Sequence, residues 1–424
     1  MKAIVLLNLA IYYFILYNTV FWLLLTLKKR NLFKIKKEIK EYKTVEIIIP
    51  AYNEENHIRR CIESAINIDY PKEKLKITVI NDGSTDRTLE VCKEYAEKGL
   101  INLVDKKNTG KANSMNIAIG KSKAELIACM DADSFFDKNT VKEMVGYFED
   151  DSVGAVTPSM KTTESKTVLQ KVQWVEYMFS NYLRALMGYL NCLYVTPGPG
   201  SMYRKEAIID GFDESNLTED TDIALRIHKK GYKIANTLHA VTYTETPDKL
   251  SELFKQRKRW YVGYFDNIQK HKDILLKKEF GELGMWFLPT NFIWLPVILL
   301  FTGLASYEYI SNAYRYTKNA FLIDFNIMPH LSKWIAELFT LENIFNPLRY
   351  NIFTLFNTLL LVFAITSILL GVKFSGERIR DKSKIPNYIF YVMIYGYIMS
   401  TFWFYSIVYK ITKWNREELR GWEA

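Results

Sequence analysis

The chain runs to 424 residues, long for one domain, with 49% hydrophobic and 15% aromatic residues and a formal net charge of +9. A basic excess admits nucleic acid, anionic lipid or an anionic substrate, but no zinc-finger, RNA-recognition or basic-zipper pattern accompanies it, which sets nucleic acid aside as a partner. The four cysteines (Cys61, Cys92, Cys129 and Cys192) stand far apart without paired metal spacing and read as reduced and structural.

Residues 1–27 hold an apolar run from Ala3 to Leu27, and a helix needs about 20 such residues to cross a bilayer. Lys28-Lys29-Arg30 follows directly, where a signal peptide would offer a small-residue cleavage site, so the run reads as a membrane anchor. The linker 28–44 is basic, with only Glu38 and Glu41 opposing its charge. Positive charge beside a span marks the cytoplasmic face, so the N-terminus is expected outside and the next domain inside. The same charges suit anionic headgroups.

Residues 45–282 read as an α/β domain. Val45–Ile49 is a buried-strand pattern closed by Pro50, and Asn56–Ile66 has helical spacing with Ile58, Cys61, Ile62 and Ala65 on one face. Leu75–Ile80 is a strand ended by the turn signal Asn81-Asp82-Gly83-Ser84, and Thr88–Glu97 is a helix. Leu103–Asp105, Lys111–Ile119 and Glu125–Met130 continue as strand, helix and strand. Such alternation predicts a mainly parallel sheet, whose ligands sit at the carboxyl ends of the strands. Three polar clusters fall there: Tyr52-Asn53-Glu54, Asn81-Asp82-Gly83-Ser84 and Asp131-Ala132-Asp133. Any one could be an ordinary Asx turn, but all three after strands point to one site. Asp131 and Asp133 can address it together, one toward the ligand and one toward a hard divalent cation that shares its shell with phosphate oxygens.

Val168–Leu190 is amphipathic and aromatic-rich, too polar to span, and is expected as an interfacial helix, with core packing as the competing reading. Pro197-Gly198-Pro199-Gly200-Ser201 forces a tight backbone. Glu219-Asp220-Thr221-Asp222 precedes the helical run Ile223–Lys230, where acids favour the helix N-terminus. Gln256–Trp260 taken alone could be a basic amphipathic helix at a membrane surface.

Residues 283–424 form a second apolar region, with spans near 284–307, 352–372 and 385–411. The loop Lys373–Lys384 is rich in basic residues and the loop Glu308–Tyr350 is not, so the first is expected inside and the second outside. This places the C-terminal tail outside, against the preference of Lys413, Arg416 and Arg420. A further span at Phe321–Phe339 would resolve the conflict, yet Asp324, His330, Lys333 and Glu337 make that segment a better interfacial helix.

Pro50-Ala51-Tyr52-Asn53-Glu54, Asn81-Asp82-Gly83-Ser84-Thr85-Asp86, Lys111-Ala112-Asn113, Asp131-Ala132-Asp133, Thr218-Glu219-Asp220 and Gln256-Arg257-Lys258-Arg259-Trp260 occur in that order. The set resembles glycosyltransferase family 2, and within it the processive membrane synthases of cellulose, hyaluronan, chitin and poly-N-acetylglucosamine. The resemblance covers about Val45 to Asp266. It implies a GT-A type α/β domain with a mostly parallel sheet, joined to interfacial and transmembrane helices of the plasma membrane. It further implies a nucleotide-sugar donor, with uridine favoured, and Mg²⁺ or Mn²⁺ as cofactor.

By the same resemblance Tyr52, Glu54 and Asp82 hold the nucleoside, with Asp82 at the base ring, and Lys111 approaches the base or the phosphates. Asp131 contacts the nucleotide and Asp133 binds the metal at the diphosphate. Gln256 and Arg259 belong to the donor site, since a guanidinium pairs with phosphate in a bidentate manner. Trp260 offers a face for an acceptor ring, and the loop with Gly200 and Ser201 lies near the acceptor. Asp220 is the expected base and Glu219 its support, in a single inverting displacement. The acceptor is a growing β-linked glycan extruded through the membrane region, or alternatively a lipid that receives one sugar. Four spans are fewer than in many processive synthases, which keeps the lipid reading open unless the chain forms a homo-oligomer or has a partner membrane subunit.

Overall fold

The computed structural model describes residues 2–322, 352–376 and 384–412. The chain divides into two compact units, Met1–Leu25 with Asn291–Ser367, and Thr26–Thr290 with Ile368–Ala424. The described residues of the smaller unit are helical. Its α1 (Lys2–Lys28) brings Tyr12 into a stack on Phe356 at 5.5 Å and an edge contact with Phe301 at 5.6 Å, and the Tyr12 hydroxyl donates to Asn357 at 2.8 Å. Phe301 lies on α9 (Leu288–Leu322), and Phe356 and Asn357 on α10 (Ile352–Phe374).

The larger unit is built on an eight-stranded mixed sheet. Its strands are β1 (Val45–Ala51), β2 (Leu75–Asp82), β3 (Asn102–Lys106), β4 (Leu126–Cys129), β5 (Ser134–Phe136), β6 (Val153–Thr162), β7 (Met202–Arg204) and β8 (Lys233–Thr244). They lie in the order β3-β2-β1-β4-β7-β6-β8-β5, with β3 to β4 all parallel and β7 antiparallel to both neighbours. β1 is buried throughout because helices cover both faces of the sheet. Ile47 and Ile49 face α2 (Ile58–Ile66) and α3 (Thr88–Glu97), packing on Ile62 and Cys92. Ile48 points the other way, toward Met115 of α4 (Lys111–Lys121) and Ile223 of α7 (Glu219–Lys229). Each such isoleucine stabilises the fold by about 1.5–3 kcal/mol.

α5 (Thr140–Val145) precedes β6, and α6 (Val168–Tyr189) begins with a capping box in which Thr167 and Gln170 satisfy each other's backbone amides. One face of α6 packs on the sheet through Met160, Val175 and Met178, and the same cluster takes in Ile368 and Val372. α8 (Leu250–Lys270) packs through Leu253 against Val172, Tyr395 and Phe402. Phe402 lies on α12 (Gly396–Thr412), and a π turn at Tyr391–Tyr395 separates that helix from α11 (Ile385–Phe390). Among the described residues four helices are long and apolar enough to cross a membrane: Leu6–Lys28, Leu283–Leu304, Leu355–Phe374 and Ile385–Thr412.

Several local expectations change. Pro50 sits inside β1 rather than closing it. Pairing with β4 ends at Ile48, so at Pro50 the strand is bonded only to β2 and its missing N–H breaks no second ladder. Asn81 and Asp82 are the last strand residues of β2 because β3 extends the pairing there. α7 begins at Glu219, which puts the acids in its first turn rather than ahead of it. α9 continues to Leu322, through part of the stretch expected as a loop from Glu308. The interfacial helix at 321–339 falls almost wholly outside the described residues, as do much of the basic loop 373–384 and the tail with Lys413, Arg416 and Arg420.

Candidate active site

The carboxyl ends of β1, β2 and β4 meet in one place. The loops after β1 and β2 are locked by crossed hydrogen bonds: Asn53 N donates to Ser84 Oγ at 3.1 Å, Thr85 N to Asn53 Oδ1 at 2.8 Å, and Glu54 N to Thr88 Oγ1 at 2.7 Å. Asn53 takes φ +54°, a conformation asparagine tolerates better than most residues. Asp82 is wholly buried and accepts from the amides of Thr109 at 2.9 Å and Gly110 at 2.9 Å, with Lys106 also on its Oδ1. In this state Asp82 holds the β3–α4 loop.

Beside it lies a cluster of acids. Burial, then the charges of Asp133, Asp131 and Asp86, push the Glu54 carboxyl up to about 8. Asp133 is raised by burial and by Asp131, although Ser134 Oγ donates to it at 2.8 Å. Among the described residues no three His, Cys, Asp or Glu side chains are arranged to cage a metal by themselves. The donor set still fits Mg²⁺ or Mn²⁺, which take hard carboxylate oxygens and complete their shell with substrate phosphates and water. Mutually repelling carboxylates with raised pKa values are groups that a cation relieves.

Lys111, at the start of α4, crosses from this cluster to the next. Its Nζ lies 2.6 Å from Asp131 Oδ1 and 3.2 Å from Glu219 Oε1, and these partners hold it protonated against burial. Burial would raise Glu219, but Lys111 and Arg259 keep it below its ordinary range. Asp220 responds differently: burial and the Glu219 charge push it up to about 6, against the pull of Lys111, the Thr221 amide and Arg259. Neighbouring carboxylates are thus driven apart, a pattern typical of acid–base sites. The Asp220 carbonyl is held by Thr196, whose N donates at 3.2 Å and whose Oγ1 donates at 2.9 Å.

α8 closes the site from the other side. Gly263 lets it lie directly on Thr218, where any Cβ would overlap the threonine side chain. Asn267 Nδ2 donates to Thr218 Oγ1 at 2.8 Å and to Thr218 O at 3.2 Å. Gln256, Arg259 and Trp260 fall on this helix, Arg259 near enough to bias both Glu219 and Asp220. Arg257 lies 4.2 Å over the Trp260 ring and donates to Glu176 Oε2 at 2.8 Å.

Residues 46–212 match the family model described as "Glycosyl transferase family 2". This segment is a glycosyl transferase family 2 domain. Over 246 residues the chain is 31% identical to the Bacillus subtilis (strain 168) protein described as "Probable glycosyltransferase YdaM", covering 55% of this chain and 58% of that one. Over 282 residues it is 28% identical to poly-beta-1,6-N-acetyl-D-glucosamine synthase of Staphylococcus aureus (strain MSSA476), covering 62% and 66%. The chain therefore spans less than two thirds of the length of these relatives. The mannosyltransferase PcManGT from Pyrobaculum calidifontis, solved with GDP-Man and Mn²⁺, superposes with a TM-score of 0.53 at 21% identity, over 80% of this chain and 99% of that one. That likeness is one of fold, and the sheet described above is the mixed, mostly parallel GT-A arrangement.

In the family 2 domain and the helices that follow it, most sequence-predicted residues converge. Glu54, Asp131, Asp133, Lys111, Glu219, Asp220 and Arg259 form one electrostatically connected group. Tyr52 lies half-buried at the end of β1. Gly200 and Ser201 are turned into the fold. Gly200 has φ +94° and its side faces Thr242 and Phe136, and Ser201 is buried with its hydroxyl on Pro197 O at 2.6 Å. The loop residue that meets the site is Gly198, where a Cβ would stand 2.7 Å from Lys111 Nζ and 2.9 Å from Asp131 Oδ2. Sequence reasoning gave no role to Glu176 on α6 or to Arg257 on α8, whose ion pair braces the helix that carries Arg259. Charged residues in an aromatic, half-apolar helix were the available signal.

Proposed function

We propose that the chain is a membrane-embedded inverting glycosyltransferase that moves a sugar from a nucleotide-sugar donor, with UDP favoured, to a growing β-linked glycan. The observation that carries this is Lys111, which joins Asp131 of the Asp-x-Asp element to Glu219 beside Asp220. Donor-phosphate and acceptor-activating chemistry therefore share one water-poor site.

Tyr52 and Glu54 face the nucleoside, while Asp82, buried under the Thr109 and Gly110 amides, fixes the β3–α4 loop beside it in place of the direct base contact expected from the resemblance, and Lys111, Gln256 and Arg259 face the diphosphate. Asp133 with Asp131 would hold Mg²⁺ or Mn²⁺, which when bound supplies positive charge against the leaving diphosphate. Asp220 takes the proton from the acceptor hydroxyl as that oxygen forms its bond to the anomeric carbon. The bond from that carbon to the diphosphate oxygen breaks on the opposite face, and the nucleoside diphosphate leaves with the electron pair. A carboxyl near 6 is deprotonated at neutral pH yet basic enough to accept a proton in a desolvated site. Trp260 stacks the acceptor ring, and Gly198, with the buried Gly200 and Ser201 behind it, backs Lys111 and Asp131 on the diphosphate side instead of the acceptor contact expected for that loop.

Apolar helices of spanning length support a bilayer enzyme, and the basic linker 28–44 supports a catalytic domain on the cytoplasmic side. The Staphylococcus relative is a synthase of a β-1,6-linked N-acetylglucosamine polymer by its name, which favours a polymeric product here. A homo-oligomer or partner subunit completes the membrane path. The test is the purified protein in lipid with Mn²⁺ or Mg²⁺ and labelled nucleotide sugars, following nucleotide release and product size together. A large, glycosidase-sensitive product is expected, a single sugar on lipid would move the assignment to a glycolipid transferase, and no metal-dependent turnover of any donor would overturn it.

A further inference from the structure

Arg184 has no part in the mechanism above, yet it is directed into the same region. It lies on α6 two turns beyond Tyr177, on the same face of the helix. Tyr177 feels the charges of both Arg184 and Asp133, so this face borders the site from its donor end onward. The groups that act on Arg184 are Tyr177, Tyr194, Asp220 and Glu176. Its Nη1 is enclosed and has no hydrogen-bond partner among the described residues.

One oxygen of each nearby carboxylate is already engaged. Glu176 Oε2 accepts from Arg257 and from the Tyr395 hydroxyl, each at 2.8 Å, and Asp220 Oδ1 accepts from the Thr221 amide at 2.8 Å. An enclosed guanidinium nitrogen without an acceptor is costly, and a native structure keeps such a group when something else fills the role. The wall beyond Arg184 is aromatic: the Tyr194 ring lies 6.0 Å from Tyr264 and 5.6 Å from Phe287. The Tyr264 hydroxyl is a second enclosed group without a partner among the described residues. Rings beside unspent hydrogen-bonding groups are what a hydroxylated ring with a charged substituent needs.

We propose that Arg184, with Tyr194 and Tyr264, forms an acceptor subsite beside Asp220 for a sugar that carries an oxyanion near its attacking hydroxyl. The oxyanion is a carboxylate, as on a uronic acid, or a phosphodiester, as on a lipid-linked sugar; a guanidinium fork suits either. A bare phosphate nucleophile is disfavoured because it would leave Asp220 without a proton to take. The inference rests on the glycosyltransferase reading for the meaning of acceptor, but the binding it predicts does not require turnover.

The experiment uses the full chain in nanodiscs and measures equilibrium binding of three probes: a glucuronate-terminated disaccharide, its neutral glucose-terminated counterpart, and a sugar diphosphate on a short isoprenoid. Binding of UDP with Mn²⁺ is measured in parallel. Wild type is expected to bind one anionic probe at least tenfold more tightly than the neutral one, and which one names the source of the oxyanion. Arg184→Gln should abolish that preference and Arg184→Lys should retain part of it, with UDP binding unchanged in both. Equal binding of anionic and neutral probes, or a preference that survives in Arg184→Gln, overturns the subsite. Loss of UDP binding by wild type would instead count against the proposed function and leave the probe comparison to decide this one.

Discussion

Glu176 of α6 and Arg257 of α8 form an ion pair at 2.8 Å, and the Tyr395 hydroxyl from the π turn before α12 donates to the same carboxylate oxygen at 2.8 Å. One half-buried carboxylate thus ties α6 and α8 to the π turn, and the helix it anchors carries Arg259 and Trp260. Arg257→Ala leaves a half-buried Glu176 without its cation, a loss of about 1–3 kcal/mol. A marked fall in the thermal midpoint in lipid is expected, with Glu176→Gln milder because the amide can still bond Tyr395. An unchanged midpoint in Arg257→Ala would show that the pair does not hold α8.

Lys111→Met removes the cation between Asp131 and Glu219. The remaining carboxylates repel, and the donor diphosphate loses a counter-charge. Transfer should fall by about 10²-fold or more, in the range for a lost electrostatic group at a reacting phosphate. Steady-state kinetics with varied donor would check this, and a change smaller than threefold would contradict the bridging role.

Asp220→Asn should lower transfer by about 10²–10⁴-fold, the range for general base catalysis, while nucleotide binding stays within a fewfold of wild type. The pH profile follows from the direction of the shift. Asp220 is raised to about 6, so it is protonated and idle below that pH and active above it. In wild type kcat/KM should therefore rise with pH through about 6 and then level off, and Asp220→Asn should lose that limb in its residual activity.

Gly198 and Gly200 should separate activity from stability. Gly200→Ala places a Cβ against Thr242 and Phe136 at φ +94°, so it should destabilise the fold by about 1–3 kcal/mol. Gly198→Ala presses instead on Lys111 Nζ and Asp131, mobile side-chain ends, so it should spare the thermal midpoint and lower transfer. Melting curves and initial rates on both variants decide the matter, and equal loss of stability would refute the distinction.

Chelation of divalent metal should abolish nucleotide affinity in wild type. Asp133→Asn should need at least tenfold more Mn²⁺ to restore it, as expected for a lost carboxylate ligand. Calorimetric titration of UDP at several Mn²⁺ concentrations measures this, and an affinity indifferent to metal would remove the cation from the site.

The local signals in the sequence were strong where short-range physics dominates. Alternating buried strands and helices, with polar clusters at their carboxyl ends, carried the domain type and most of the proposed donor side, because strand direction alone determines which residues share an end. Four long apolar runs marked helices of spanning length for the same reason, since hydrophobicity over about 20 residues needs no partner to be read. Glu54, Asp131 and Asp133 were placed together in this way, whereas Lys111 and Asp220, at helix starts, were singled out only by the resemblance to family 2.

What only tertiary structure decided is which distant groups face one another. Nothing local says that Lys111 pairs with Glu219 as well as Asp131, that Glu176 meets Arg257, or that Gly198 rather than Gly200 lies against the site. Hydrophobic periodicity showed α6 to be amphipathic, but not that its polar face would deliver Arg184 toward Asp220, because an amphipathic pattern states that a face is covered and not by what. The pKa of Asp220 has the same origin: an aspartate in isolation is an ordinary acid, and enclosure beside Glu219 raises it.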